Sequence, residues 1–218
     1  MSARFERSVL VICPGCAAGK ERAQAWCRLP AEAAGITLQG LRKIEHQLPA
    51  IKAAGKLIRA GYGWLTLAGD YGTGKTTLIY AILNYLSERG IYGRYETAPD
   101  LLDYLRDGMQ DIRGASPSAR LRQLIEAPAL AIDEIDKYNA TAFADEALFR
   151  LFNARYQARN SQITLIGYNY DRERQVPPFL LSRSKDGRFQ HVVLEGADIR
   201  PTLTDDELDR WDRGEGEH

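Results

Sequence analysis

Eight consecutive residues, Gly69-Asp70-Tyr71-Gly72-Thr73-Gly74-Lys75-Thr76, have the spacing of a loop that wraps a phosphate. Their glycines let the backbone curl until successive N–H groups point inward at phosphate oxygens. A helix starting at the loop adds the partial positive charge of its N-terminus. In such a loop the Lys75 ammonium reaches the β- and γ-phosphates and the Thr76 hydroxyl binds Mg²⁺, with Thr77 completing the set. Further along, Ala129-Leu130-Ala131-Ile132 runs into Asp133-Glu134. Strands often end in acids, so this pair alone says little. After an upstream phosphate loop it gains a role: Asp133 holds Mg²⁺ through water, and Glu134 polarises the attacking water as general base. The chemistry implied is transfer of a nucleoside triphosphate's terminal phosphoryl group to water.

These residues need elements that converge on one place. Residues 63–68 read as a short buried strand leading into the loop. Leu78, Ile79, Ile82, Leu83 and Leu86 recur at helical spacing after it, until Gly90 closes the helix. Further strands are expected at 93–97, 129–132, 162–167 and 191–194, separated by helices at 99–106, around 119–126 and at 145–159. In the last of these helices Leu148, Phe149, Leu151, Phe152 and Tyr156 are the expected core face, and residues 111–118 read as a polar loop. Five strands alternating with helices give an α/β fold with a doubly wound parallel sheet. Ligands in such sheets sit at the carboxyl ends of the strands, where both the loop and Asp133 fall.

A chain of 218 residues can bury one such domain and a modest appendage. Residues 1–60 hold ten Lys/Arg against four Asp/Glu, although the net charge of the whole chain is zero. That basic end suits nucleic acid or an acidic partner, or is simply a solvated helical face. It reads as a separate N-terminal partner-binding region with a linker helix. A core over 61–201 and an acidic tail over 202–218 follow. Pro30 to Gly40 reads as a connector, and residues 41–60 as helix interrupted near Pro49. Cys13-Pro14-Gly15-Cys16 presents two thiols as half of a zinc site, with Cys27 a third and His46 the nearest candidate for a fourth. The alternative is three reduced thiols. No apolar run is long enough to cross a membrane and no cleavable leader is evident, so a cytoplasmic protein is expected.

At the phosphate loop, Leu130-Ala131-Ile132-Asp133-Glu134, residues 148–156, 164–169, Leu181-Ser182-Arg183 and Gly196-Ala197-Asp198-Ile199-Arg200, the chain resembles AAA+ ATPases. Within them it is similar to helicase loaders of the DnaC/DnaI type and to IstB-like transposition helpers. The resemblance covers about residues 33–201 and implies a P-loop AAA+ core without a full C-terminal lid domain. It implies ATP and Mg²⁺ as ligands, with zinc a weaker likeness at the cysteines. Asn169 matches sensor 1, which orients water against the γ-phosphate. Arg183 matches an arginine finger that completes a neighbouring subunit's site, and Arg200 a sensor-2-like contact to nucleotide. The implied partners are a replicative helicase or a transposase, single-stranded DNA, and further copies of the chain in an active homo-oligomer. A small-molecule kinase and a non-hydrolysing scaffold are the other readings.

Overall fold

The computed structural model describes residues 26–41, 44–108, 116–196 and 198. Its centre is a sheet of five parallel strands, β1 (Gly63–Gly69), β2 (Gly93–Thr97), β3 (Ala129–Asp133), β4 (Ile163–Asn169) and β5 (Gln190–Leu194), in the spatial order β2-β3-β4-β1-β5. Parallel neighbours need crossovers, and helices supply them. In chain order the helices are α1 (Leu38–Leu41), α2 (Leu48–Ala60), α3 (Lys75–Ser87), α4 (Ala98–Asp107), α5 (Pro117–Glu126), α6 (Ala142–Gln157) and α7 (Pro178–Ser184).

Strands β1, β3 and β4 are buried along their whole length, which is why their sequences are mostly apolar rather than alternating with charged residues. Their side chains still divide by alternation. Leu65 and Leu67 of β1 join Leu78, Ile82 and Leu86 of α3 in a core on one face of the sheet. Trp64 and Ala68 join Leu101 of α4, Leu124 of α5 and Leu148, Leu151 and Phe152 of α6 on the other.

Several local expectations need correction. Pro49 does not interrupt a helix; it occupies the first turn of α2, where its missing N–H has no helical partner to lose. The boundary expected after residue 60 is not a break in the packing. Ala50, Ile51, Ala53, Ala54 and Leu57 of α2 belong to the same apolar core as Leu65 and Leu67. The connector over residues 30–40 contains a 3-10 turn (Ala31–Ala33) and the start of α1, and the Asn84 side chain donates to the carbonyls of Ala33 and Ile36. Ser118 lies inside α5, whose N-cap is Ser116. Phe149 is 46% exposed rather than part of the core face of α6.

The position that goes inward on α6 is Arg155, which is fully buried. Its guanidinium donates to Thr164 Oγ1 and to the carbonyls of Leu124, Ile125, Ala127 and Ile163. Among the described residues no carboxylate answers it; backbone dipoles do. Burial lowers its pKa to about 9, which still leaves it charged at neutral pH. Arg155 thus ties the end of α5 to the beginnings of β3 and β4.

At the β2 edge, Arg94 pairs with the buried carboxylate of Glu96 at 2.5 Å and donates to the carbonyl of Trp26. Its guanidinium lies between the rings of Trp26 and Tyr104. Arg28 adds a second bond to Glu96 at 3.0 Å.

Candidate active site

The carboxyl ends of β1, β3 and β4 carry the residues singled out for chemistry. Register puts Gly69 beside Asn169 across the β1–β4 pair. Gly74, in the left-handed conformation (φ 87°), turns the chain from the loop into α3. Lys75 opens that helix, and its ammonium donates to the Gly69 carbonyl (2.8 Å), the Asp70 carbonyl (2.8 Å) and Asn169 Oδ1 (3.2 Å). Thr76 Oγ1 donates to Asp133 Oδ2 at 2.5 Å. A cavity of about 200 Å³ is lined by the loop together with Asp133, Glu134, Tyr168 and Asn169. The structure therefore brings together Gly72, Gly74, Lys75, Thr76, Thr77, Asp133, Glu134, Asn169 and, at the rim, Tyr71.

Asp133 is buried at the end of β3, and burial raises its pKa against the lowering effect of the Thr76 hydroxyl and the Glu134 N–H. Its carboxylate fits because its β4 neighbour is Gly167, where a Cβ would come within 2.0 Å of Oδ1. Burial likewise lowers the pKa of Lys75, opposed by Asp133. A hydroxyl and a carboxylate side by side are the hard oxygen donors that Mg²⁺ prefers, so Thr76 and Asp133 suit that ion.

Glu134 adopts the left-handed conformation (φ 54°, ψ 37°), uncommon for a residue with a side chain. This turns its carboxylate off the strand axis toward Lys137, which it meets at 2.5 Å. That hydrogen bond raises the Lys137 pKa.

Asp136, which sequence reasoning missed, is buried two residues beyond Glu134. Its two oxygens accept from the Asn169 backbone N–H and side-chain amide, both at 3.0 Å, and Arg172 Nε lies 3.7 Å away. The available signal was the run Asp133-Glu134-Ile135-Asp136, in which the second Asp has no core role. Behind the loop, His46 Nε2 lies 3.3 Å from the Thr73 carbonyl and the fully buried Gln47 amide donates to the same oxygen at 3.1 Å. Asp198 lies over Gly72, where a Cβ would come within 1.9 Å of its carboxylate.

Arg183 lies outside this cavity. It is on the last turn of α7 rather than in a loop, donates to Asn153 Oδ1 at 2.7 Å, and faces the rings of Phe149, Tyr156 and Phe179. Arg200, Cys13, Cys16 and the tail over 202–218 lie outside the described residues. Cys27 is buried, and burial pushes its thiol up to about 11, the reverse of what a metal-binding thiolate needs. His46 is engaged at the phosphate loop instead of joining it, and among the described residues no three His, Cys, Asp or Glu are grouped to hold a metal. The zinc expectation gains no support from Cys27 or His46.

A family model described as "ATPase family associated with various cellular activities (AAA)" matches residues 65–194. Among curated proteins none matches in sequence. Solved structures share the fold. A crystal structure of the DnaC helicase loader superposes with a TM-score of 0.64 at 20% identity, covering 76% of this chain and 100% of that one. Replication initiator DnaA bound to AMPPCP and single-stranded DNA gives 0.65 at 21% identity, covering 82% of this chain and 56% of that one. AMPPCP-bound DnaA from Aquifex aeolicus gives 0.63 at 19% identity, with 84% and 55% covered. The chain thus spans little more than half the length of these two DnaA chains.

Proposed function

This chain belongs to the ATPase family associated with various cellular activities, and on that premise we propose that it hydrolyses ATP to load a replicative helicase onto single-stranded DNA. One observation carries the ATPase reading. Lys75, Thr76, Asp133 and Asn169 arrive from three different strand ends and are linked by hydrogen bonds within one cavity. In this reading the loop N–H groups and Lys75 hold the phosphates, and Thr76 and Asp133 hold Mg²⁺. When bound, that ion neutralises charge on the phosphate oxygens. Asn169, fixed by Asp136, orients a water molecule. Glu134 takes its proton as the water oxygen bonds to the γ-phosphorus and the bond to the bridging oxygen breaks, leaving ADP and inorganic phosphate.

Arg183 cannot act in its own cavity from its seat on α7, so we assign it to a neighbouring subunit's site, with turnover dependent on homo-oligomer assembly. Arg200 is proposed as a contact to nucleotide within its own subunit. The loading role is supported by the fold shared with a DnaC helicase loader over the whole of that chain.

The test has two parts. Glu134→Gln should retain ATP binding in an equilibrium titration while lowering turnover about 10²–10⁴-fold; undiminished turnover would remove Glu134 as the base. Immobilised full-length protein with ATP should capture a hexameric replicative helicase. Capture of a transposase in its place would overturn the loader reading in favour of a transposition helper.

A further inference from the structure

At the opposite end of the sheet from the phosphate loop, where β1 and β5 begin, there is a second cavity of about 440 Å³. Lys56 reaches it from α2, Tyr62 and Trp64 from the entry to β1, Arg159 from beyond α6, and Arg188 and Phe189 from the entry to β5. Among the described residues no carboxylate lines it. The seven residues of β1 separate it from the loop, roughly 20 Å at strand rise.

Positive charge accumulates here without matching negative charge. The guanidinium carbons of Arg159 and Arg188 lie 5.0 and 5.7 Å from the centre of the single Tyr156 ring. Asp186, paired with Arg188 at 2.5 Å, is the one carboxylate in ion-pair range of either among the described residues. On α2, Lys52, Lys56 and Arg59 are exposed and the helix contains no acid. Lys56 has no hydrogen-bond or ion-pair partner among the described residues. Cations held this close repel one another, and an incoming polyanion relieves that repulsion. Beside them Tyr62 is 45% exposed. The floor is aromatic: Trp64 stacks on Phe189 with centroids 5.4 Å apart and planes 13° from parallel. The Trp64 indole N–H is buried and has no acceptor among the described residues.

We propose that this cavity and the cationic face of α2 hold the phosphodiester backbone of a single nucleic-acid strand, with a base stacked on Tyr62. An exposed aromatic ring set among Lys and Arg side chains serves an unstacked base and its phosphate together. An acidic peptide would use only the cations, and a duplex keeps its bases stacked on one another. The proposal rests on the reading that this protein acts on single-stranded DNA and adds the surface that holds it.

Anisotropy of a fluorescein-labelled oligo(dT) of about 20 nucleotides, titrated with the full chain and ATP across a salt series, tests it. Lys56→Glu should weaken binding tenfold or more and flatten the salt dependence. Tyr62→Ala should weaken it about five- to a hundredfold at an unchanged salt slope, since stacking carries no charge. Arg150→Glu reverses an exposed cation elsewhere, on α6, and should change binding less than twofold. Thermal melts establish that each variant is folded. Wild-type binding that neither Lys56→Glu nor Tyr62→Ala weakens overturns this surface and leaves the DNA reading standing. So does an equal loss in Arg150→Glu. A wild-type chain that binds poly-glutamate but not oligo(dT) overturns both, and assigns the cavity to an acidic protein partner.

Discussion

At the scale of single residues, the site holds two groups against their own preference. Asp133 is a carboxylate taken out of water, and its pKa is raised. A group whose folded pKa is raised stabilises the fold when protonated, and that contribution is lost as pH rises through the folded value. At neutral pH and above, Asp133 therefore costs stability, and Asp133→Asn should melt at a higher temperature than the wild type at pH 8 without nucleotide. The gap should narrow as the pH falls toward the carboxylate range, while the stabilisation given by Mg²⁺ and ATP disappears from the variant; scanning fluorimetry at several pH values checks both. Glu134 is held differently, by Lys137 at 2.5 Å. That pair is about one-third exposed, which limits it to about 1 kcal/mol. Lys137→Met should release the base and raise basal ATP turnover by no more than about fivefold with KM unchanged; steady-state kinetics that show a fall would instead make Lys137 part of the catalytic arrangement. Asp136 was not legible beside these residues because its role is to fix Asn169, and that relation exists only once β3 and β4 lie side by side.

At the scale of elements, what could be read was whatever repeats. The mostly apolar stretches of β1, β3 and β4 and the helical spacing of α3 are local signals, and the strands fell within a residue or two of where they were expected. Pro49 was misjudged on a local matter, since a Pro in the first turn opens a helix as readily as it breaks one; Phe149 and Arg155 were misjudged or overlooked because their surroundings come from distant chain. Periodicity places Phe149 and Arg155 on α6 without saying that α7 leaves the phenyl ring half open or that five acceptors await the guanidinium. Removing those donors leaves buried carbonyls unpaired at about 1–3 kcal/mol each. Arg155→Met should accordingly lose about 3 kcal/mol or more and melt roughly 6–12 °C lower, measured by denaturant titration and calorimetry. A change below about 1 kcal/mol would mean the carbonyls find other donors.

At the scale of the whole molecule, the sheet separates two kinds of work. The carboxyl ends of its strands carry the nucleotide chemistry, and the amino ends carry the cationic cavity. Arg183 belongs to neither end of its own subunit's site, and its 2.7 Å bond to Asn153 keeps it on the α6–α7 flank beside the exposed ring of Phe149. Specific activity should therefore rise with protein concentration, because dilution removes the neighbour that Arg183 serves. Arg183→Ala should lose about 10³-fold or more of the assembled rate while its ATP affinity as a monomer stays within twofold. Turnover independent of concentration, measured by coupled assay across a hundredfold dilution range, would sink the assignment.

The ammonium of Lys75 has a further consequence. Its three protons already have acceptors at Gly69, Asp70 and Asn169. A triphosphate entering the loop trades these partners for its own oxygens, so the measured affinity is the difference between two bonded sets and far smaller than either. The trade also leaves a message behind. The Asn169 side chain whose oxygen Lys75 gives up donates its amide N–H to the same Asp136 that lies against Arg172, so a change of occupant at the phosphates is a change of bonding at the protein's surface.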